Sequence, residues 1–199
     1  TDREHADTQP TWSPNGRHIY FTSFCDGAPT IWRVARAGGP PNRVTLGAGP
    51  EEWPTVSSDG RRLVYSTHLE TGTVSLIDLS TGQRTPVREG QWVMEPAIAP
   101  DGSSLLFVSD RAGTYDIWKL PLRGGRPEGA PERLTALRGT CAHPVFSPDG
   151  QWIAFFRVVD GQRDVWIMPA GGGAPQNFTA HPAVDTAPEW SPDGSQLAF

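Results

Sequence analysis

The sequence predicts an all-β fold, a β-propeller of four-stranded antiparallel blades. Three observations carry this. A turn motif recurs at a near-constant spacing, each turn is flanked by short β-rich runs in a fixed order, and no long helical run interrupts them. The motif is Ser147-Pro148-Asp149-Gly150, echoed by Ser191-Pro192-Asp193-Gly194, Ser13-Pro14-Asn15-Gly16, Ala99-Pro100-Asp101-Gly102 and Ser57-Ser58-Asp59-Gly60. Pro presets φ for the second position of a type I turn, Asp or Asn suits the third, and Gly takes the positive φ that follows. The turn glycines fall about 42 to 48 residues apart, the period of a propeller blade.

The elements follow in phase. The strand after each turn reads Ile19-Tyr20-Phe21, Leu63-Val64-Tyr65, Leu105-Leu106-Phe107, Ile153-Ala154-Phe155 and Leu197-Ala198-Phe199. A third strand follows at Ile31-Trp32, Ser75-Leu76, Ile117-Trp118 and Val165-Trp166. Glycine turns at Gly38-Gly39, Thr81-Gly82, Gly124-Gly125 and Gly171-Gly172 lead to closing segments at Val44-Thr45, Leu134-Thr135 and Phe178-Thr179, with only Thr85-Pro86-Val87 in the second unit. The units are residues 1–44, 45–88, 89–134 and 135–178, with a partial fifth at 179–199. A single sheet cannot cover both its faces, so the units must stack, and the tryptophans are expected as buried wedges between blades. Four and a half units imply part of a larger ring; six blades need on the order of 260 residues.

Composition narrows the function. A net charge of −5 with scattered Lys and Arg argues against a nucleic-acid or anionic-membrane surface. No apolar run is long enough to insert into a membrane. Cys25 and Cys141 stand far apart in no metal spacing; the reading is two free buried thiols, with a disulfide the open alternative. No nucleophile elbow or phosphate loop is present, so no catalytic residue and no cofactor are assigned.

In a propeller, the start of each innermost strand lines the channel mouth. The residue before a repeated Pro marks that point: Gln9, Trp53, Glu95, His143 and Ala187. Two residues earlier stand Asp7, Glu51, Val93, Cys141 and Asp185. Asp7, Glu51, Glu95, His143 and Asp185 thus form an acidic rim suited to a cationic peptide. For Asp7 and Asp185 the competing reading is a loop cap that bonds backbone N–H groups. Trp92 has no counterpart in the other units and is a candidate contact residue. His5, His143 and His181 fall between blades at no ligand spacing, so exposed loop histidines outweigh a metal site. Asp116 and Asp164 share one repeat position, which argues for a structural bond to the turn around Asp110-Arg111 rather than for acid–base chemistry.

The segment Asp185 to Phe199, and the run Phe107-Val108-Ser109-Asp110-Arg111-Ala112-Gly113-Thr114-Tyr115-Asp116-Ile117-Trp118, resemble the repeat of the TolB-type, WD40-like bacterial β-propellers. The likeness covers the whole chain and departs most in the second unit. It implies several settings: a non-catalytic periplasmic or cell-envelope module that binds a protein or peptide, as in the Tol–Pal system; the gating propeller of a prolyl-oligopeptidase-type serine peptidase whose catalytic domain lies outside this chain; or a metal-dependent propeller that binds or cleaves acidic sugars. The first is expected here.

Overall fold

The computed structural model describes residues 6–25, 27–45, 50–68, 72–90, 93–180 and 182–199. All regular structure among them is β. The first blade orders β1 (Asp7–Trp12), β2 (His18–Ser23), β3 (Thr30–Ala35) and β4 (Asn42–Arg43). The second orders β5 (Glu51–Val56), β6 (Arg62–His68), β7 (Gly72–Asp78) and β8 (Arg84–Gly90). The third holds β9 (Val93–Ile98), β10 (Ser104–Ser109) and β11 (Asp116–Arg123), with β12 (Arg126–Pro127) and β13 (Glu132–Arg133) both pairing β11. The fourth orders β14 (Thr140–Phe146), β15 (Trp152–Val159), β16 (Gln162–Pro169) and β17 (Gln176–Asn177). A two-stranded sheet of β18 (Glu189–Trp190) and β19 (Leu197–Ala198) follows. These are four-stranded antiparallel propeller blades, as the repeat predicts. The chain forms two compact units, divided after Pro96 inside β9.

The five turns are built alike. The glycine N–H donates to the carbonyl three residues back, at 2.8 Å in Gly16, Gly60, Gly102 and Gly150. Each turn glycine takes a φ between 63° and 72°. The Asp or Asn carboxylate or amide oxygen accepts the N–H two residues on, as Asp149 does from Gln151 at 3.0 Å. Where a Ser opens the turn, its hydroxyl also donates to that oxygen, as Ser147 does to Asp149. These bonds favour the ionised form and hold the Asp59, Asp101 and Asp149 carboxyls below their ordinary value, and Asp193 at about 2.

The weak closing signal of the second unit becomes a fourth strand, β8, that pairs along the whole of β7 and reaches Gly90, two residues past the expected unit boundary. Its Arg84 guanidinium lies 5.6 Å from the Tyr65 ring centroid and donates to the Ser75 hydroxyl at 3.0 Å, which ties β8 to the blade without the usual Thr closure.

Each unit has its own core. In the first, Tyr20 and Ile31 pack with Leu63, Tyr65 and Ile77. In the second, Leu106 and Ile117 pack with Ile153, Phe155 and Met168. In both, strands two and three of one blade meet the strand after the turn in the next. The tryptophans do not fill these cores. Trp12 is 54% exposed and Trp152 41%, and no described tryptophan is fully buried. Trp118 and Trp166 instead lie under guanidinium groups, Arg111 and Arg157, each 4.8 Å from the ring. The smaller aromatics Tyr20, Tyr65 and Phe155 and their aliphatic neighbours fill the cores, and Trp166 packs against the second core only partly buried.

Both cysteines are free. Cys141 is fully buried, and burial pushes its thiol up to about 11. A thiol-reactive reagent added at neutral pH is therefore expected to leave Cys141 unmodified in the folded protein and to reach it on adding denaturant. Rapid native modification mapped to Cys141 by mass spectrometry would contradict this.

Candidate functional site

The residues before the repeated prolines share an unusual backbone. Gln9, Trp53, Glu95, His143 and Ala187 take φ of 53°, 51°, 49°, 53° and 51°. None is glycine, although this left-handed region favours it. A residue before Pro is normally extended. Pairing explains the conformation in three blades: the register shifts by one residue between Thr8 and Thr11, Glu52 and Thr55, and Ala142 and Val145. These three innermost strands therefore carry a β-bulge, a device that re-aims a side chain and is common beside binding sites. The backbone is constant; the side chain it presents is an amide, an indole, a carboxylate, an imidazole or a methyl.

The positions two residues earlier do different work. The Glu51, Cys141 and Asp185 N–H groups donate to Pro29, Tyr115 and Arg163 carbonyls at 2.8, 2.8 and 3.0 Å. Each carbonyl lies at the start of the third strand of the preceding blade, just before it at Pro29 and Tyr115 and within it at Arg163, so these bonds pin blade to blade. The closing threonines complete the joint. Thr45, Thr135 and Thr179 hydroxyls accept the N–H of Ile31, Ile117 and Val165 at 3.1, 2.9 and 3.1 Å. Glu51 is 1% exposed and accepts a short hydrogen bond from the Thr45 hydroxyl. It belongs to this joint and not to an exposed acidic rim, which corrects the expectation for it. Asp185 Oδ2 is buried without a hydrogen-bond partner among the described residues, so that oxygen does not form the expected backbone cap. It lines a hollow with Phe178, Thr179 and Ala183.

Asp7 is half-buried in β1 and lines a groove of about 610 Å³ on one face of the first blade, together with Ile19, Phe21, Trp32 and Val34. In the first unit, Gln9 Oε1 accepts from the Thr22 hydroxyl at 2.8 Å and from the Trp53 N–H at 2.9 Å. The side chain of one bulge thus caps the backbone of the next. Trp53 and Glu95 are half-buried. In the second unit, His143 is half-buried within β14, not in an exposed loop as expected, and lies near Glu189, whose carboxyl is raised by desolvation and pulled back by the imidazole. Glu189 was not singled out from the sequence. Its row otherwise holds Thr11, Thr55, Ala97 and Val145, so a lone charge there was the available signal.

Trp92, His5 and His181 lie outside the described residues. Among those described, no three His, Cys, Asp or Glu side chains converge on a point where a metal could sit. Asp116 is structural, with different partners from those expected. Its carboxylate is fully buried and accepts from Arg133 at 2.6 Å, Thr114 at 2.6 Å and Thr135 at 2.9 Å, rather than from the turn around Asp110-Arg111. Asp164 accepts from Gln162 and Asn177 in the equivalent place.

Bulged innermost strands on four-stranded blades define the class: a β-propeller repeat protein that presents variable side chains from a constant backbone. Residues 1–124 match the family described as TolB beta propeller domain, and residues 116–199 match the Tricorn protease N-terminal beta propeller domain. The chain belongs to the TolB beta propeller family. The Tol-Pal system protein TolB of Francisella tularensis is 25% identical over 124 residues, covering 61% of this chain and 28% of that protein. TolB from Acinetobacter baumannii superposes with a TM-score of 0.83 at 26% identity, over 97% of this chain and 48% of that one. A TolB candidate from Agrobacterium tumefaciens gives 0.85 at 25%, over 97% and 69%. The chain thus spans about half of the Acinetobacter structure and less than a third of the Francisella relative. An oligogalacturonate lyase from Vibrio parahaemolyticus and a puromycin-hydrolyzing peptidase from Mycobacterium tuberculosis, both 17% identical with TM-scores of 0.71 and 0.61, share the fold alone.

Proposed function

We propose that this chain is a non-catalytic TolB-type propeller module that binds a protein or peptide partner through the bulged starts of its innermost strands. The observation that carries the reading is a repeated left-handed conformation at non-glycine residues with different side chains, Gln9, Trp53 and Glu95 in the first unit and His143 and Ala187 in the second. A position that only closes a fold would settle on glycine, which tolerates this φ at no steric cost. The resemblance to the Tol-Pal system protein supports a protein partner and a cell-envelope location. The Glu95 carboxylate and the acidic net charge favour a basic partner segment.

The test is affinity capture of envelope-extract proteins on the immobilised chain, with basic candidates then purified and titrated. Glu95→Lys is expected to weaken a basic partner about tenfold or more while the protein stays folded at the assay temperature. Equal affinity of wild type and Glu95→Lys would remove this position from the site. Steady turnover of a peptide or an oligogalacturonate by the isolated chain would replace the binding reading with an enzymatic one.

A further inference from the structure

The Gln9 amide has a fixed orientation. Its Oε1 accepts two hydrogen bonds, and one donor is the backbone N–H of Trp53, which can only donate. The oxygen must therefore face Trp53, and the flip ambiguity of an amide is removed. The Thr22 hydroxyl, on a fully buried side chain, holds the same oxygen from the other side. The Nε2 group is left as a pair of donors turned away from both. It has no partner among the described residues and is not among the buried polar atoms that lack one, so it reaches solvent beside the Trp53 bulge.

We propose that Gln9 reads a backbone carbonyl of the bound peptide through Nε2, while its Oε1 holds the neighbouring bulge in place. This rests on the protein-binding reading above and assigns the chemistry of one contact within it. An oriented donor pair held by water in the free protein can exchange that water for a peptide acceptor. Gln9 is flanked by Asp7 two residues upstream, and the whole chain is acidic, so a neutral carbonyl is favoured over a carboxylate. Preorganisation adds selectivity: the amide is already locked, and no rotamer freedom is lost when the acceptor arrives. The arrangement also couples recognition to packing, because the same side chain fixes where the Trp53 ring is presented.

Two substitutions separate the roles. Gln9→Glu keeps an oxygen for Thr22 and Trp53 but removes both N–H donors. Gln9→Ala removes everything. The probes are peptides selected on the intact protein from a random 12-residue display library, then synthesised with free and with amidated C-termini. Gln9→Glu is expected to melt at the wild-type temperature and to bind these peptides about tenfold or more weakly, whereas Gln9→Ala loses both stability and affinity. Amidation is expected to leave binding unchanged. Wild-type affinity in Gln9→Glu, or melting as low as Gln9→Ala, overturns the assignment. Loss of binding on amidation overturns it in favour of a terminal carboxylate. If the peptides lose affinity on Glu95→Lys but not on Gln9→Glu, the site stands and this contact falls; if they respond to neither, both readings fall.

Discussion

Asp116→Ala is expected to destabilise the second unit by about 2 to 4 kcal/mol, the cost of leaving buried and half-buried donors without their acceptor. Asp116 is 0% exposed, and its two oxygens take the Arg133 guanidinium and the Thr114 and Thr135 hydroxyls. Removing the carboxylate strands all three donors at the joint where the third strand meets the closing Thr. Thr135 in turn accepts the Ile117 N–H, and Ile117 is core. The loss therefore spreads from a polar network into packing. Arg133 is partly exposed, at 31%, so water can reach it once Asp116 is gone, whereas removing Arg133 would strand the buried carboxylate without its cation. Asp116→Asn keeps the shape and one of the two oxygens, turns an NH2 toward the remaining partner, and is expected to cost less than Asp116→Ala, about 1 to 2 kcal/mol. Urea denaturation of the three proteins checks the order. A loss under 1 kcal/mol in Asp116→Ala would show that the network contributes little.

Glu51→Lys is expected to unfold the first unit or to cost it about 3 kcal/mol or more, because an ammonium would be buried where a carboxylate accepted the Thr45 hydroxyl. Tyr65 shares this surrounding, and burial pushes its hydroxyl up to about 12, a sign of how dry the joint is. Glu51→Gln keeps an oxygen for Thr45 and should cost about 1 kcal/mol. The consequence for function is direct. Partner loss in Glu51→Lys reports a collapsed blade joint, whereas partner loss in Glu95→Lys while the protein stays folded at the assay temperature reports the site. Circular dichroism melts of Glu51→Lys and Glu51→Gln make the distinction. A normal melt for Glu51→Lys would return Glu51 to the exposed rim.

The parts of the fold legible in the sequence were those decided locally. A Ser-Pro-Asp-Gly turn is set by four residues, so its five copies located the first hairpin and the phase of every blade. The positions before the prolines were legible as landmarks too, since the repeat places them. Their left-handed backbone was not, because Pro usually holds its predecessor extended and only pairing with the next strand imposes the bulge. Side-chain outcomes that depend on how blades meet were less visible. Glu51 and Gln9 both read as rim residues. Packing buries one under Thr45 and turns the other into a cap for Trp53. Trp12 and Trp152 read as wedges and stand exposed, since Tyr20 and Tyr65 in one unit and Phe155 in the other, with their aliphatic neighbours, already fill the cores. The long β8 was hidden for a similar reason: it is held by Arg84 reaching across to Tyr65 and Ser75, a contact between strands that no single segment announces.

The left-handed residues before the prolines bear on the central claim, that stability is spent at these positions to present a side chain. A non-glycine residue in the left-handed region costs about 1 to 2 kcal/mol. Glycine would relieve that strain and would present nothing. The decisive measurement is a paired melt and binding titration of Glu95→Gly against wild type. Melting at or above the wild-type temperature, with the partner lost, is the predicted result. A melting temperature several degrees lower, with affinity for the partner intact, would contradict it.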